Sequence, residues 1–201
     1  MAKSKVINKP PPEEAREAVR TLIRWAGDDP DRPGMAETPQ RLLKFYSEFF
    51  TGYASAPEDF SGSIANDTAC KEFILIRDIE IVSFCEHHLL PASGMAHIAY
   101  IPGENVPGIG AIARIADACA RRFTTQETLT GDIAAMVESA FAPAGVAVMT
   151  AMTHGCMTLR APQRNRRSKV STVKFTGAFL NDPALQDRFC MLVAAGRDTT
   201  T

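Results

Sequence analysis

Apolar positions along this chain recur first with a helical period, then with a strand period, and then alternate between the two. Ala15, Val19, Leu22, Ile23 and Ala26 fall on one helical face, and Gly27 closes the run, which predicts an amphipathic helix from Glu13. Residues 28–34 (Asp-Asp-Pro-Asp-Arg-Pro-Gly) form a turn-rich loop. Thr38 reads as an N-cap with Pro39 at the first helical position, and a second helix follows through Leu42, Leu43, Phe45, Tyr46 and Phe49 to Gly52. Residues 54–69 are small and polar without a period and read as loop. Lys71 to Phe84 is β-branched and apolar with polar interruptions, and Gly94 to Ile101 is a further strand stopped by Pro102-Gly103. A hairpin would place the segment between them at its connection.

The helical period returns over Ala111 to Phe123 and over Thr130 to Phe141, the latter with Thr130 as N-cap and Asp132 in its first turn. Pro143-Ala144-Gly145 breaks it. Val146 to Met152 is a strand, Met157 to Arg160 reads as its continuation, and 161–169 is a basic loop. Val170 to Phe179 is the last strand, and Asn181 or Asp182 caps a final helix that starts with Pro183. This order predicts an α+β fold with an antiparallel four-stranded sheet, helices on one side and an N-terminal helical extension. Such a sheet has two unpaired edges, which favours a homo-oligomer. The expected divisions are a flexible arm at 1–12, where three consecutive prolines block helix, a helical region at 13–69, a sheet-bearing domain at 70–195 and a frayed end at 196–201.

Composition narrows the function. The 201 residues are 45% hydrophobic and carry a formal net charge of -1, so no bulk electrostatic attraction to nucleic acid or an anionic membrane is expected. No apolar run is long enough to span a bilayer, and the basic start leads into prolines rather than a signal-peptide core. Five widely spaced cysteines without an export signal point to reduced thiols, metal ligation and the cytoplasm.

Two cysteines and three of the four histidines sit in two short clusters, Cys85-Glu86-His87-His88 and His154-Gly155-Cys156. Thiolate and imidazole are the ligands zinc prefers. Cys85 and His88 can turn to one ion, and Cys156 can close a three-ligand site from a neighbouring strand. Adjacent residues on an extended backbone point apart, so only one of His87 and His88 is a ready ligand. His87 and His154 then either complete a closed structural site or flank an open one as proton-transfer groups. His97 reads as a strand-packing histidine, and Cys70, Cys119 and Cys190 as small apolar residues.

These fragments, in order with Gly34-Met35-Ala36-Glu37-Thr38-Pro39-Gln40-Arg41, Thr51-Gly52-Tyr53, Ala96-His97-Ile98-Ala99-Tyr100-Ile101-Pro102, Ile112-Ala113-Arg114-Ile115, Gln126-Glu127 and Pro143-Ala144-Gly145-Val146, resemble GTP cyclohydrolase I. The resemblance implies a tunnelling-fold subunit, a homodecamer, and a zinc site at Cys85, His88 and Cys156. It implies catalytic histidines at His87 and His154, guanine recognition by Glu127 with Gln126 beside it, and triphosphate contacts from Arg41, Arg114 and Arg160. The chemistry it implies is attack by a zinc-activated water at C8 of the guanine ring of GTP, loss of formate, rearrangement of the ribose and closure to 7,8-dihydroneopterin triphosphate.

The chain departs from the family pattern where the phosphates would lie. Gly110 and Ala111 replace a serine and a lysine, Thr128 replaces an arginine, and Met95 replaces a lysine. A lost lysine–phosphate bond costs on the order of 1.5–3 kcal/mol. Extra arginines at 164, 166 and 167 either replace those contacts, or the substrate is a guanine or purine derivative with fewer phosphates. A reading from another class is a non-catalytic, zinc-stabilised oligomeric scaffold.

Overall fold

A computed structural model of the chain describes residues 8–60, 62–67, 69–159 and 168–195. The chain divides into one compact unit that ends at Tyr53 and a second that starts at Ala54. The expected flexible arm falls largely, and the frayed end wholly, outside the described residues.

The first unit is a helix pair, α1 (Pro12–Trp25) and α2 (Thr38–Phe49). Glu13 and Glu14 lie in the first turn of α1 and Arg24 in its last, both favourable to the helix dipole. Arg20 pairs with Asp31 at 2.7 Å, and Arg16 reaches Gln40 of α2 at 3.3 Å. Thr38 is the first helical residue of α2 rather than its cap. Glu37, at the N-cap, already has a helical backbone, because the preceding turn runs straight into the helix and Thr38 N donates to Met35 O at 2.9 Å. The Thr38 hydroxyl turns back to Met35 Sδ.

In chain order the second unit comprises β1 (Ser63–Ala65), β2 (Ile74–Cys85), β3 (Pro91–Ile101), β4 (Asn105–Pro107), α3 (Ile109–Ala120), β5 (Phe123–Thr124), α4 (Gln126–Phe141), β6 (Gly145–His154), α5 (Gly155–Thr158), β7 (Val170–Phe175), α6 (Ala178–Asn181) and α7 (Pro183–Ala195). Strands β2, β3, β6 and β7 are antiparallel neighbours, as the apolar pattern predicts. The sheet nonetheless has five strands and is mixed: β5 lies parallel to the end of β2 through two residue pairs, too short to leave a period in the sequence. A separate ribbon, β1 with β4, occupies part of the expected loop.

Helices cover both faces of the sheet, not one. Because strand side chains alternate, Ile98 and Tyr100 of β3 face Ile112, Ile115, Ile133 and Met136 of α3 and α4. Ala99 and Ala147 face the other way, and their small side chains admit Phe179 of α6 and Phe189 and Val193 of α7. Each buried phenylalanine contributes about 1.5–3 kcal/mol.

Several boundaries shift. The last strand ends at Phe175, because Gly177 takes φ 53 and opens α6. Residues 155–158 are helical and do not continue β6. Helix α4 begins at Gln126, with the Thr125 hydroxyl accepting from Thr128 N at 3.1 Å, so Thr130 lies inside the helix and bonds back to Gln126 O at 2.8 Å. His97 is buried in the sheet and accepts from the backbone N–H of Asp78 at 3.2 Å, where β2 bulges and Asp78 takes φ 59.

Gly94 marks the closest approach of β3 to β6. A Cβ there would lie 2.1 Å from Ala151 O, a backbone atom that cannot swing aside. Gly94→Ala is expected to cost about 3 kcal/mol. Thermal melting should then fall by roughly 6–12 °C, and a midpoint within about 1 °C of wild type would refute the close contact.

Candidate active site

The site is assembled where β2 ends and β6 ends, on either side of β3. Cys85 is the last residue of β2. The chain then reverses over 86–90: Leu89 N donates to Cys85 O at 2.8 Å, Cys85 N donates to Leu90 O at 2.9 Å, and Leu89 takes φ 54. This tight turn folds His88 back on Cys85, with Nδ1 3.5 Å from Sγ. His87 is also exposed; its Nδ1 lies 3.9 Å from the same sulfur and its Nε2 3.8 Å from Glu86 Oε1.

On the other side, β6 ends at His154, in register with Ala92 of β3, and α5 carries Cys156 back toward the turn. Gly155 is required at this corner, since a Cβ would lie 2.8 Å from Pro91 O. The ligand atoms of Cys85, His88 and Cys156 all lie within 4.8 Å of one another. Tetrahedral zinc with thiolate and imidazole ligands separates such atoms by about 3.3–3.8 Å. The cluster therefore fits a metal ion by donor chemistry, and the Cys85–His88 spacing fits without rearrangement.

Strand β5 supplies the third wall. Thr124 pairs with Cys85, and Glu86 N donates to Thr124 O at 3.3 Å. This brings the start of α4 beside the metal ligands. Glu127, in the first turn, is exposed and lines the same cavity of about 250 Å³ as Cys85, His87, His88, His154 and Cys156.

Gln126 also lines it but turns inward and is 4% exposed. Its Nε2 donates toward Thr150 O and Thr150 Oγ1 at 3.0 Å and Val170 O at 2.9 Å, and its Oε1 meets His154 Nε2 at 2.7 Å. The amide expected beside the guanine has its protons taken up by the protein. Thr130, Thr150 and Thr172 brace it; the sequence marks Thr130 only as an expected helix cap and Thr150 only as a hydroxyl set in the apolar run Val146 to Met152.

Arg41 lies on α2 in the first unit, exposed and paired with Glu37 at 2.6 Å. Arg114 is exposed on α3, off the stripe of Ile112, Ile115, Ala116 and Cys119 that meets the core, and is not among the described lining residues. Arg160, with Arg164, Arg166 and Arg167, lies outside the described residues. Among the described residues no helix is long and apolar enough to cross a membrane.

The profile of the GTP cyclohydrolase I family matches residues 15–194. The chain is 45% identical over 189 residues to GTP cyclohydrolase 1 of Maricaulis maris (strain MCS10), covering 94% of this chain and 92% of that protein. It is also 45% identical over 187 residues to GTP cyclohydrolase 1 of Allorhizobium ampelinum, covering 92% of each. The chain belongs to the GTP cyclohydrolase I family. Among solved structures, an archaeosine synthase QueF-like protein in the apo form aligns with a TM-score of 0.44 at 20% identity, over 53% of this chain and 94% of that one.

The match to GTP cyclohydrolase I runs through both units, so it takes in α1 and α2 as well as the sheet. Of the positions where the chain was expected to depart from the family pattern, Ala111 is buried in α3. Thr128 completes the α4 cap, its hydroxyl 3.0 Å from that of Thr125.

Proposed function

We propose that this chain hydrolytically opens the imidazole ring of GTP, releases formate and forms 7,8-dihydroneopterin triphosphate. The observation that carries it is one cavity holding Cys85, His88 and Cys156 together with His87, His154 and Glu127. Cys85, His88 and Cys156 would hold zinc, which when bound generates a nucleophile from water near neutral pH and acts as a Lewis acid. Reduced thiols are needed for this, which suits the cytoplasm.

His87 and His154 are the proton-transfer groups. Imidazole titrates in the range needed to give a proton to the ring nitrogen at C8 and to take protons from the incoming water. Glu127 accepts hydrogen bonds from the guanine N–H groups, a pattern that adenine cannot match. Arg41, Arg114 and Arg160 are proposed as triphosphate contacts, since a guanidinium fork suits phosphate oxygens.

We read Arg41 and Arg114 as serving a cavity of another copy, and the enzyme as a homo-oligomer, a decamer by family resemblance. Leu22 and Trp25 of α1, 64% and 90% exposed, supply apolar surface for such contacts.

Buried Ala111 and the capped Thr128 favour one second reading, in which the substrate carries fewer phosphates. A panel of GTP, GMP and guanosine with the zinc-loaded protein separates the two, read by formate release and pterin absorbance. GTP should exceed GMP by about tenfold or more in kcat/KM, the equivalent of one charge-assisted phosphate bond. Equal rates on all three would replace GTP by the smaller substrate, and no turnover of any would leave only a zinc-stabilised scaffold.

A further inference from the structure

We infer that Gln126 is a positioning residue: it fixes the orientation of the His154 ring and holds it in the Nε2–H tautomer, with the lone pair on Nδ1. The inference rests on the reading of His154 as a proton-transfer group, and deepens it.

The hydrogen-bond inventory around Gln126 decides the matter. Thr150 O and Val170 O, at 3.0 and 2.9 Å from Nε2, are carbonyl oxygens that only accept. Turning the amide over would set Oε1 against both of them in a buried site, an arrangement that strands polar groups. The amide orientation is therefore fixed, and Oε1 faces His154 Nε2 at 2.7 Å. An amide oxygen has no proton to give, so Nε2 must donate. In the neutral imidazole the lone pair is then on Nδ1.

The bracing is deeper than one side chain. Thr130 donates to Gln126 O at 2.8 Å, and the hydroxyls of Thr130, Thr150 and Thr172 lie 2.6–2.9 Å apart in a closed triangle. Thr130 and Thr150 are buried, so this triangle joins α4, β6 and β7 where water does not compete.

With both amide protons spent on protein acceptors, Gln126 acts on His154 rather than on the purine.

The test uses the full-length, zinc-loaded protein labelled with 15N-histidine. Solid-state 15N spectra distinguish protonated from unprotonated ring nitrogens, and the His154 signals are those lost in His154→Ala. The wild type should show protonated Nε2 and unprotonated Nδ1. Gln126→Leu should lose that preference and lower kcat for GTP about 10²-fold, with KM within about twofold of wild type. A wild-type Nδ1–H tautomer overturns the inference without any variant, so a misfolded Gln126→Leu cannot shelter it. A raised KM at unchanged kcat also overturns it, because that is the mark of a substrate contact. His154→Ala turning over GTP at the wild-type rate would overturn the reading of His154 as a proton-transfer group, while the spectra still report separately on the tautomer.

Discussion

Cys156→Ala is expected to remove bound zinc and ring-opening activity together. Only Cys85 and His88 would remain, both contributed by one turn. A two-ligand remnant cannot hold the metal at the concentrations a three-ligand site tolerates, and lost metal means a lost nucleophile at neutral pH. The substitution itself is mild. Cys156 is half-buried on the short helix α5, and alanine keeps that helix. Metal analysis of the purified variant should give substoichiometric zinc, with formate release at background and a far-ultraviolet spectrum like wild type. Stoichiometric zinc in this variant would strike Cys156 from the ligand set.

His154→Ala should separate what Cys156→Ala removes jointly. The imidazole is not one of the three clustered ligands, so zinc should stay. Catalysis should fall by about 10²–10⁴-fold, the range for a lost general acid–base group. The variant also strips Gln126 Oε1 of its 2.7 Å partner, which adds a stability cost of about 1–3 kcal/mol for the orphaned acceptor. A full complement of zinc, a lowered melting point and little turnover form the expected signature. Wild-type rates would end the catalytic assignment.

Much of this molecule is legible in its sequence because most of it obeys one period at a time. The helical faces of α1 and α3, the strands β2, β3 and β6, and the paired Cys/His clusters at strand ends all announce themselves locally. Four things do not. Strand β5 is two residues long and has no period to show. The cap of α4 is Thr125 and not the expected Thr130, whose hydroxyl is spent inside the helix on Gln126 O. The second helical layer depends on Ala99 and Ala147 being small, which matters only once Phe179 and Phe189 are known to lie opposite them. The brace around Gln126 draws on residues 24 to 44 positions away, so only the folded chain brings it together. The metal ligands could be read because two short turns hold them; the environment of Gln126 could not, because three distant elements build it.

Strand β5 has a consequence for how this family can drift. Its two pairs tie Thr124 to Cys85 and thereby set how far Glu127 stands from the metal turn. Side chains on an extended segment reverse face with every residue, so one inserted position between Ala120 and Gln126 would swing the inward glutamine outward and carry the carboxylate off the cavity. The linker behaves as a ruler: its letters can change over generations, but its length cannot.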